Sequence, residues 1–154
     1  MKGVAMGVLL FLLCAYSHAE DVLEGKLKLA GFQVEVWGDY EISHMLFPDE
    51  TWKFKVLVVP VTVRQGDLID IAKSFYKKYP RTRARFFSDK QHLQQFVERD
   101  IYVNDRSGTA KEVAFPDSKW VQNNLLGNIN NRSEKYNRTW MLENRYGSRI
   151  VLLE

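Results

Sequence analysis

Residues 26–37, KLKLAGFQVEVW, alternate between polar and apolar positions, but in two phases. Leu27 and Leu29 share one parity, while Phe32, Val34 and Val36 share the other. Alternation marks a half-buried strand, and a one-residue slip at Ala30-Gly31 predicts a β-bulge or a bend in one long strand. Residues 52–63, WKFKVLVVPVTV, start as strict alternation and become wholly apolar from Val56. That change predicts a strand with one wet face at its start and two covered faces later, ended by Pro60. Gly38-Asp39, Pro48-Asp49 and Glu50 lie between the two strands, which predicts an antiparallel connection.

Leu68, Ala72, Phe75, Tyr76 and Tyr79 recur at helical spacing, so residues 65–79 form the clearest helix. Asp67 and Asp70 near its start and Lys73, Lys77 and Lys78 near its end suit the helix dipole. Pro80 closes the element. Residues 82–87, TRARFF, read as a strand. Ser88 and Gln91 match a capping box, which predicts a helix to about Arg99 with Leu93, Phe96 and Val97 as its apolar stripe. Ile101–Val103 then read as a short strand and residues 104–108 as a turn.

The pattern weakens after that. Val113–Phe115 is a strand candidate, and Asp117 or Ser118 a cap for a short helix carrying Trp120, Val121 and Leu125 and ending at Gly127. Residues 127–138, GNINNRSEKYNR, read as a polar loop. Thr139–Asn144 and Arg149–Leu153 are two strands around a turn containing Tyr146-Gly147-Ser148. A strand–helix–strand unit over residues 52–87, flanked by antiparallel hairpins, predicts one small α+β domain. It has a mixed sheet and two to three helices gathered on one face.

The N-terminus has a different character. Lys2 precedes an apolar run from Gly3 to Tyr16, and Ser17-His18-Ala19 offers small residues at the −3 and −1 positions of a cut after Ala19. This is the layout of a secretory signal peptide, so residues 1–19 are expected to be removed and residues 20–154 to form the domain. No second apolar stretch of spanning length follows. The chain is therefore expected to be exported, periplasmic or secreted. Cys14 is the only cysteine, so residues 20–154 exclude a disulfide framework, a Cys-ligated metal site and a thiol nucleophile. A small eukaryotic secreted domain usually carries disulfides, which favours a bacterial periplasm. Asn131-Arg132-Ser133 and Asn137-Arg138-Thr139 match the glycosylation acceptor pattern, which matters only in a eukaryotic source.

Charge changes the picture in one place. Residues 73–90 hold Lys73, Lys77, Lys78, Arg81, Arg83, Arg85 and Lys90 against Asp89 alone, a net of +6. Arg81, Arg83 and Arg85 are spaced by two, so a strand would project all three from one face. Together with Lys77 and Lys78 they form a candidate stripe for an anionic polymer or an acidic protein surface. A structural role competes: the same arginines would guard an exposed strand against edge pairing.

Catalytic signatures are absent. No Gly-x-Ser-x-Gly, phosphate loop, dinucleotide fingerprint or paired-histidine metal motif occurs. No metal or cofactor is expected. After residue 19 only His44 and His92 remain, and Asp39, Glu41, Glu98 and Asp100 read as solvated charge. Trp120, Tyr136 and Trp140 bracket six Asn and Gln residues between positions 122 and 131, a composition that suits either sugar recognition or a solvated loop. The leading expectation is an exported, soluble, non-enzymatic binding or accessory protein. The alternative is a small hydrolase of a cell-envelope or extracellular polymer, using carboxylates with His44 or His92.

Overall fold

In the computed structural model, which describes residues 25–43, 51–104, 111–134 and 137–153, the phase slip at Ala30-Gly31 is a chain reversal. Strand β1 (Lys26–Leu29) pairs antiparallel with β2 (Phe32–Ser43), and Leu29 faces Phe32 across a two-residue loop. Ala30 and Gly31 have φ of +48° and +87°, the doubly left-handed turn whose twist matches paired strands. A hairpin reverses parity just as a bulge does, which is why the pattern suggested one bent strand. The bulge of β2 lies further on, between Val36 and Gly38.

Strand β3 (Thr51–Val58) pairs antiparallel with β2. Helix α1 (Gln65–Lys78) then carries the chain across to β4 (Thr82–Phe87), which pairs parallel with β3 as the strand–helix–strand unit requires. Asp67 accepts a hydrogen bond from the Arg64 backbone N–H at 2.9 Å at the start of α1, and Tyr79 closes its end. Helix α2 (Leu93–Asn104) starts later than the Ser88 pattern predicted and absorbs Ile101–Val103, which are helical, not a strand. Their apolar run belongs to a helix that leaves Ile101 and Val103 exposed. Val113–Phe115 is irregular. Asp117 caps helix α3 (Ser118–Asn124), accepting from the Lys119 backbone N–H at 2.8 Å.

Three strands complete the sheet: β5 (Leu125–Glu134), β6 (Asn137–Asn144) and β7 (Arg149–Leu152). The segment read as a polar loop is thus mostly β5, an inner strand between β4 and β6. Asparagine is a poor strand former on its own, but here both edges of the strand are hydrogen-bonded to neighbours and Ile129 is fully buried. The seven strands lie in chain order, and only the β3–β4 pair is parallel. The fold is a single small α+β domain with a mixed sheet and three helices among the described residues.

Successive strand residues point to opposite faces, and this sheet has a core on each. Leu57 of β3 and Phe86 of β4 pack with Leu68, Ile71, Ala72 and Phe75 of α1. Their neighbours Val56 and Phe87 pack with Leu93 of α2 and Trp120 of α3. The helices are therefore divided between the two faces, which corrects the expectation that they gather on one. Burying each Phe or Leu of these clusters contributes roughly 1.5–3 kcal/mol. Gly38 lets α2 approach closely, since a Cβ there would sit 3.0 Å from the Val97 side chain. Residues 1–24, with the expected signal peptide and Cys14, and residues 44–50, with His44, lie outside the described residues. Among the described residues no helix is long and apolar enough to cross a membrane.

Candidate functional site

On the α2 face the strand register lines up rows of side chains. Tyr40 stands beside Phe54, Phe54 beside Arg83, and Val56 beside Arg85, which in turn faces Asn128 of β5. Two residues along β5, Asn130 shares the face with Asn128. Arg83, Arg85, Asn128 and Asn130 line a groove of about 340 Å³. Its apolar walls are Trp52, Phe54 and Ile42 from the strands, Phe96 from α2 and Leu125 at the start of β5.

The two arginines differ. Arg85 Nη1 lies 2.8 Å from Asp100 Oδ2, and both side chains are largely buried. Tyr40 donates its hydroxyl proton to the same carboxylate oxygen at 2.6 Å, and Arg85 donates to the Tyr40 oxygen at 3.4 Å. The Phe54 and Phe96 rings each lie 5.1 Å from the Arg85 guanidinium. Burial pushes the Tyr40 hydroxyl far above its usual range and the Asp100 charge adds to this, against the opposing pull of Arg85. Tyr40 is therefore a fixed donor. Its role, with Asp100, is to hold Arg85 and tie α2 to the sheet.

The Arg83 guanidinium carbon lies 3.6 Å from the centroid of the Trp52 ring and 5.6 Å from that of Phe54. All N–H donors of a guanidinium lie in its plane and point outward from its edge. A ring against the face of a guanidinium does not compete with those donors.

The predicted stripe is divided by the fold. Arg83 and Arg85 share the groove. Arg81 lies before β4 in a turn, exposed and with φ of +61°, so it does not continue their row. Lys77 and Lys78 are exposed at the end of α1, the helix that packs on the opposite face. The edge-guarding role is also overturned, because β4 is an inner strand paired on both sides.

The other candidates resolve into structural roles. His92 meets Trp120 edge-on at 5.3 Å, and Trp120 donates its indole N–H to Asp89 at 2.7 Å. That bond is the main reason the Asp89 carboxyl sits below the usual carboxylate range, with backbone N–H groups of Lys90 and Gln91 and the His92 charge adding to it against burial. Asp39 and Glu41 pair with Lys55 and Lys53, and Gln94 donates to Glu98. Trp120 and Trp140 are buried in the two cores, so they do not frame a sugar site. What that segment does contribute is Asn128 and Asn130, now set against the aromatics of β3. Sequence reasoning weighed them only as part of that Asn-rich stretch, and not with Arg83 and Arg85, because residues 127–138 read as a loop. Had β5 been recognised, the period-2 spacing of Asn128, Asn130 and Arg132 was the available signal.

A second cavity of about 320 Å³ opens at the start of α1, between Val63, Leu68, Leu126 and Ile150, with Arg64 and Arg145 also lining it. Arg145 donates to the Gln122 carbonyl. Among the described residues no group of three His, Cys, Asp or Glu side chains is placed to hold a metal ion. Comparison with protein-family models, with characterised proteins and with solved structures finds no match.

Proposed function

We propose that this chain is exported and acts as a non-enzymatic binding protein that takes an anionic group in the groove between β3, β4, β5 and α2. The observation that carries this reading is the gathering of Arg83, with its guanidinium carbon 3.6 Å from the Trp52 ring centroid, and Arg85 in one groove with the amides of Asn128 and Asn130. Two guanidinium groups, neighbouring amides and a partly apolar wall in one groove suit a planar or tetrahedral oxyanion. Export rests on the apolar N-terminal run and its small-residue cut. Against the hydrolase alternative, Asp100 is committed to Arg85 and Tyr40, and His92 packs on Trp120 away from the groove lining.

The test uses the chain as its host makes it. Its intact mass should begin at Glu20, and the same chain, isotope-labelled, is titrated with tripolyphosphate and with a short heparin fragment. Amide and indole resonances of Trp52, Arg83, Asn128 and Asn130 should move, and the shifts should shrink steeply with salt, since screening reaches about 8 Å at physiological ionic strength. Arg83→Gln should abolish them, while the Lys77→Ser/Lys78→Ser variant should keep them. Shifts confined to residues 73–81, or none at all, overturn the reading.

A further inference from the structure

The cavity at the start of α1 is separate from the groove. Its wall joins Val63 before α1, Leu68 on the helix, Leu126 of β5 and Ile150 of β7, four aliphatic side chains from four stretches of chain. Leu68 belongs to the core on the α1 face, 4% exposed, and the other three pack against that core while staying half-buried. The cavity is therefore where the α1-side core reaches the surface, on the face of the sheet opposite to Arg83 and Arg85. None of these four side chains can donate or accept a hydrogen bond.

The rest of the lining has a different character. Tyr146 is 81% exposed, yet the turn that carries it is fixed. Asn144 Oδ1 accepts from the backbone N–H groups of Tyr146 at 2.9 Å and Ser148 at 3.0 Å, and the Asn144 carbonyl accepts from Gly147 at 3.0 Å. A tyrosine on a pinned turn has only its own two torsions to lose, so it offers contact area at low entropic cost. Arg145 is exposed beside it, with its guanidinium 5.8 Å from the Tyr146 ring and donating to the Gln122 carbonyl. A guanidinium carries five N–H donors, so this bond does not exhaust it. Arg64, immediately before α1, is the second exposed arginine of the lining, and no acidic residue lines the cavity. Asp67, nearby on α1, accepts from the Arg64 backbone N–H at 2.9 Å and so belongs to the helix end.

We infer that this cavity is a second binding site, for a monocarboxylate that carries a short apolar group. The apolar group lies against Val63, Leu68, Leu126 and Ile150 under the Tyr146 ring, and the carboxylate stays at the mouth with Arg145 and Arg64. A phosphate or other compact polyanion fits less well, because the aliphatic wall would strip its water without replacing a hydrogen bond. A neutral apolar molecule would fill the wall and leave the two charges unused. The volume, about 320 Å³, lies at the small end of ligand sites, which suits a short chain. The inference stands apart from the anion groove, since no residue lines both cavities.

The test is a titration of the full mature chain, with labelled Ile, Leu and Val methyl groups, followed by NMR. Hexanoate is the probe. Hexanol has the same tail without the charge, and acetate the charge without the tail. Methyl resonances of Val63, Leu68, Leu126 and Ile150 should move with hexanoate, which should bind at least about tenfold more tightly than either control. Arg145→Gln, whose amide can still donate to Gln122, should weaken hexanoate about tenfold and leave hexanol within about twofold. Arg64→Gln should act in the same direction. Tyr146→Ser should weaken hexanoate and hexanol alike. All three residues are exposed, so these variants should fold. Acetyl-alanyl-leucine tells the source of the carboxylate: binding tighter than hexanoate assigns a peptide end, weaker binding a free acid, and both support the shared chemistry. Hexanol binding as tightly as hexanoate, or hexanoate binding indifferent to both arginine variants, overturns the inference. So does an absence of shifts at these methyl groups. Loss of hexanoate binding in Arg83→Gln would place the acid in the groove and overturn the second site while supporting the first.

Discussion

Arg83 and Arg85 are the same residue two positions apart on one strand face, yet their surroundings give them different work. Both line the groove, but Arg85 is held by Asp100 and Tyr40 between Phe54 and Phe96, whereas Arg83 has Trp52 against its guanidinium. A count of charges along the chain treats them alike; only the partners distinguish them. Asp89 shows how a single carboxylate joins elements. It accepts from the Trp120 indole on α3 and from the backbone N–H groups of Lys90 and Gln91, and these bonds hold its carboxyl below the usual 3.8. A depressed carboxylate contributes stability that is fully present above the unfolded value and is lost as pH falls through the folded one. Asp89→Asn should therefore melt below the wild type at neutral pH. The gap should close as pH falls from about 3.8 toward the lower folded value. Melting temperatures of both proteins across an acid series check this. A gap that persists unchanged in acid means that shape, not charge, makes the contribution. Glu35, lowered chiefly by the Trp37 indole N–H and then by Lys90, adds a loss of the same sign to both proteins.

At the scale of elements, the turn at Ala30-Gly31 carries a measurable strain. Left-handed backbone costs a residue with a Cβ roughly 1–2 kcal/mol, and Ala30 sits at φ +48° with no side-chain group to offset it. Asn-Gly is the preferred pair for this two-residue turn. Ala30→Asn should stabilise the protein by about 0.5–1 kcal/mol, read as a midpoint increase in urea with an unchanged slope. A lower midpoint would mean that the loop is set by contacts other than its own backbone. The same hairpin marks how far the sequence could be read. The alternation of Trp52, Phe54 and Val56 and the helical spacing of Leu68, Ala72 and Phe75 revealed the crossover unit, because each pattern records a face that one neighbour covers. The patterns failed where pairing overrides composition. Asn128, Asn130 and Asn131 lie in a strand because β4 and β6 hydrogen-bond to both of its edges, and nothing local announces those neighbours. Ile101–Val103 extend α2 for a similar reason: three apolar residues carry too little period to choose between helix and strand. Half of the candidate site was legible, as Arg83 and Arg85. Its amide half was hidden with β5.

At the scale of the molecule, the chain winds through the sheet strand by strand, so among the described residues the edge strands are the first and the last. Among the described residues, β1 pairs only with β2 and β7 only with β6. An open edge invites pairing with another chain, and inward or flanking charge is the usual guard. The sequence placed that duty on Arg81, Arg83 and Arg85, but β4 lies in the interior of the sheet. The charges placed for that duty are on β1, Lys-Leu-Lys-Leu, where Leu27 and Leu29 are buried and Lys26 and Lys28 are exposed. Neutral, strand-favouring residues at those two positions would leave the backbone pairing and the buried leucines as they are, and remove only the repulsion between edges. Lys26→Val/Lys28→Val should therefore fold with an unchanged secondary structure but self-associate. Its sedimentation coefficient should rise with protein concentration, and the rise should be absent in wild type and in Arg83→Gln. That contrast assigns the effect to the edge, since Arg83→Gln also removes a positive charge but from the interior of the sheet. A double variant that sediments like wild type over the same range of concentration would show that the lysines do not guard β1.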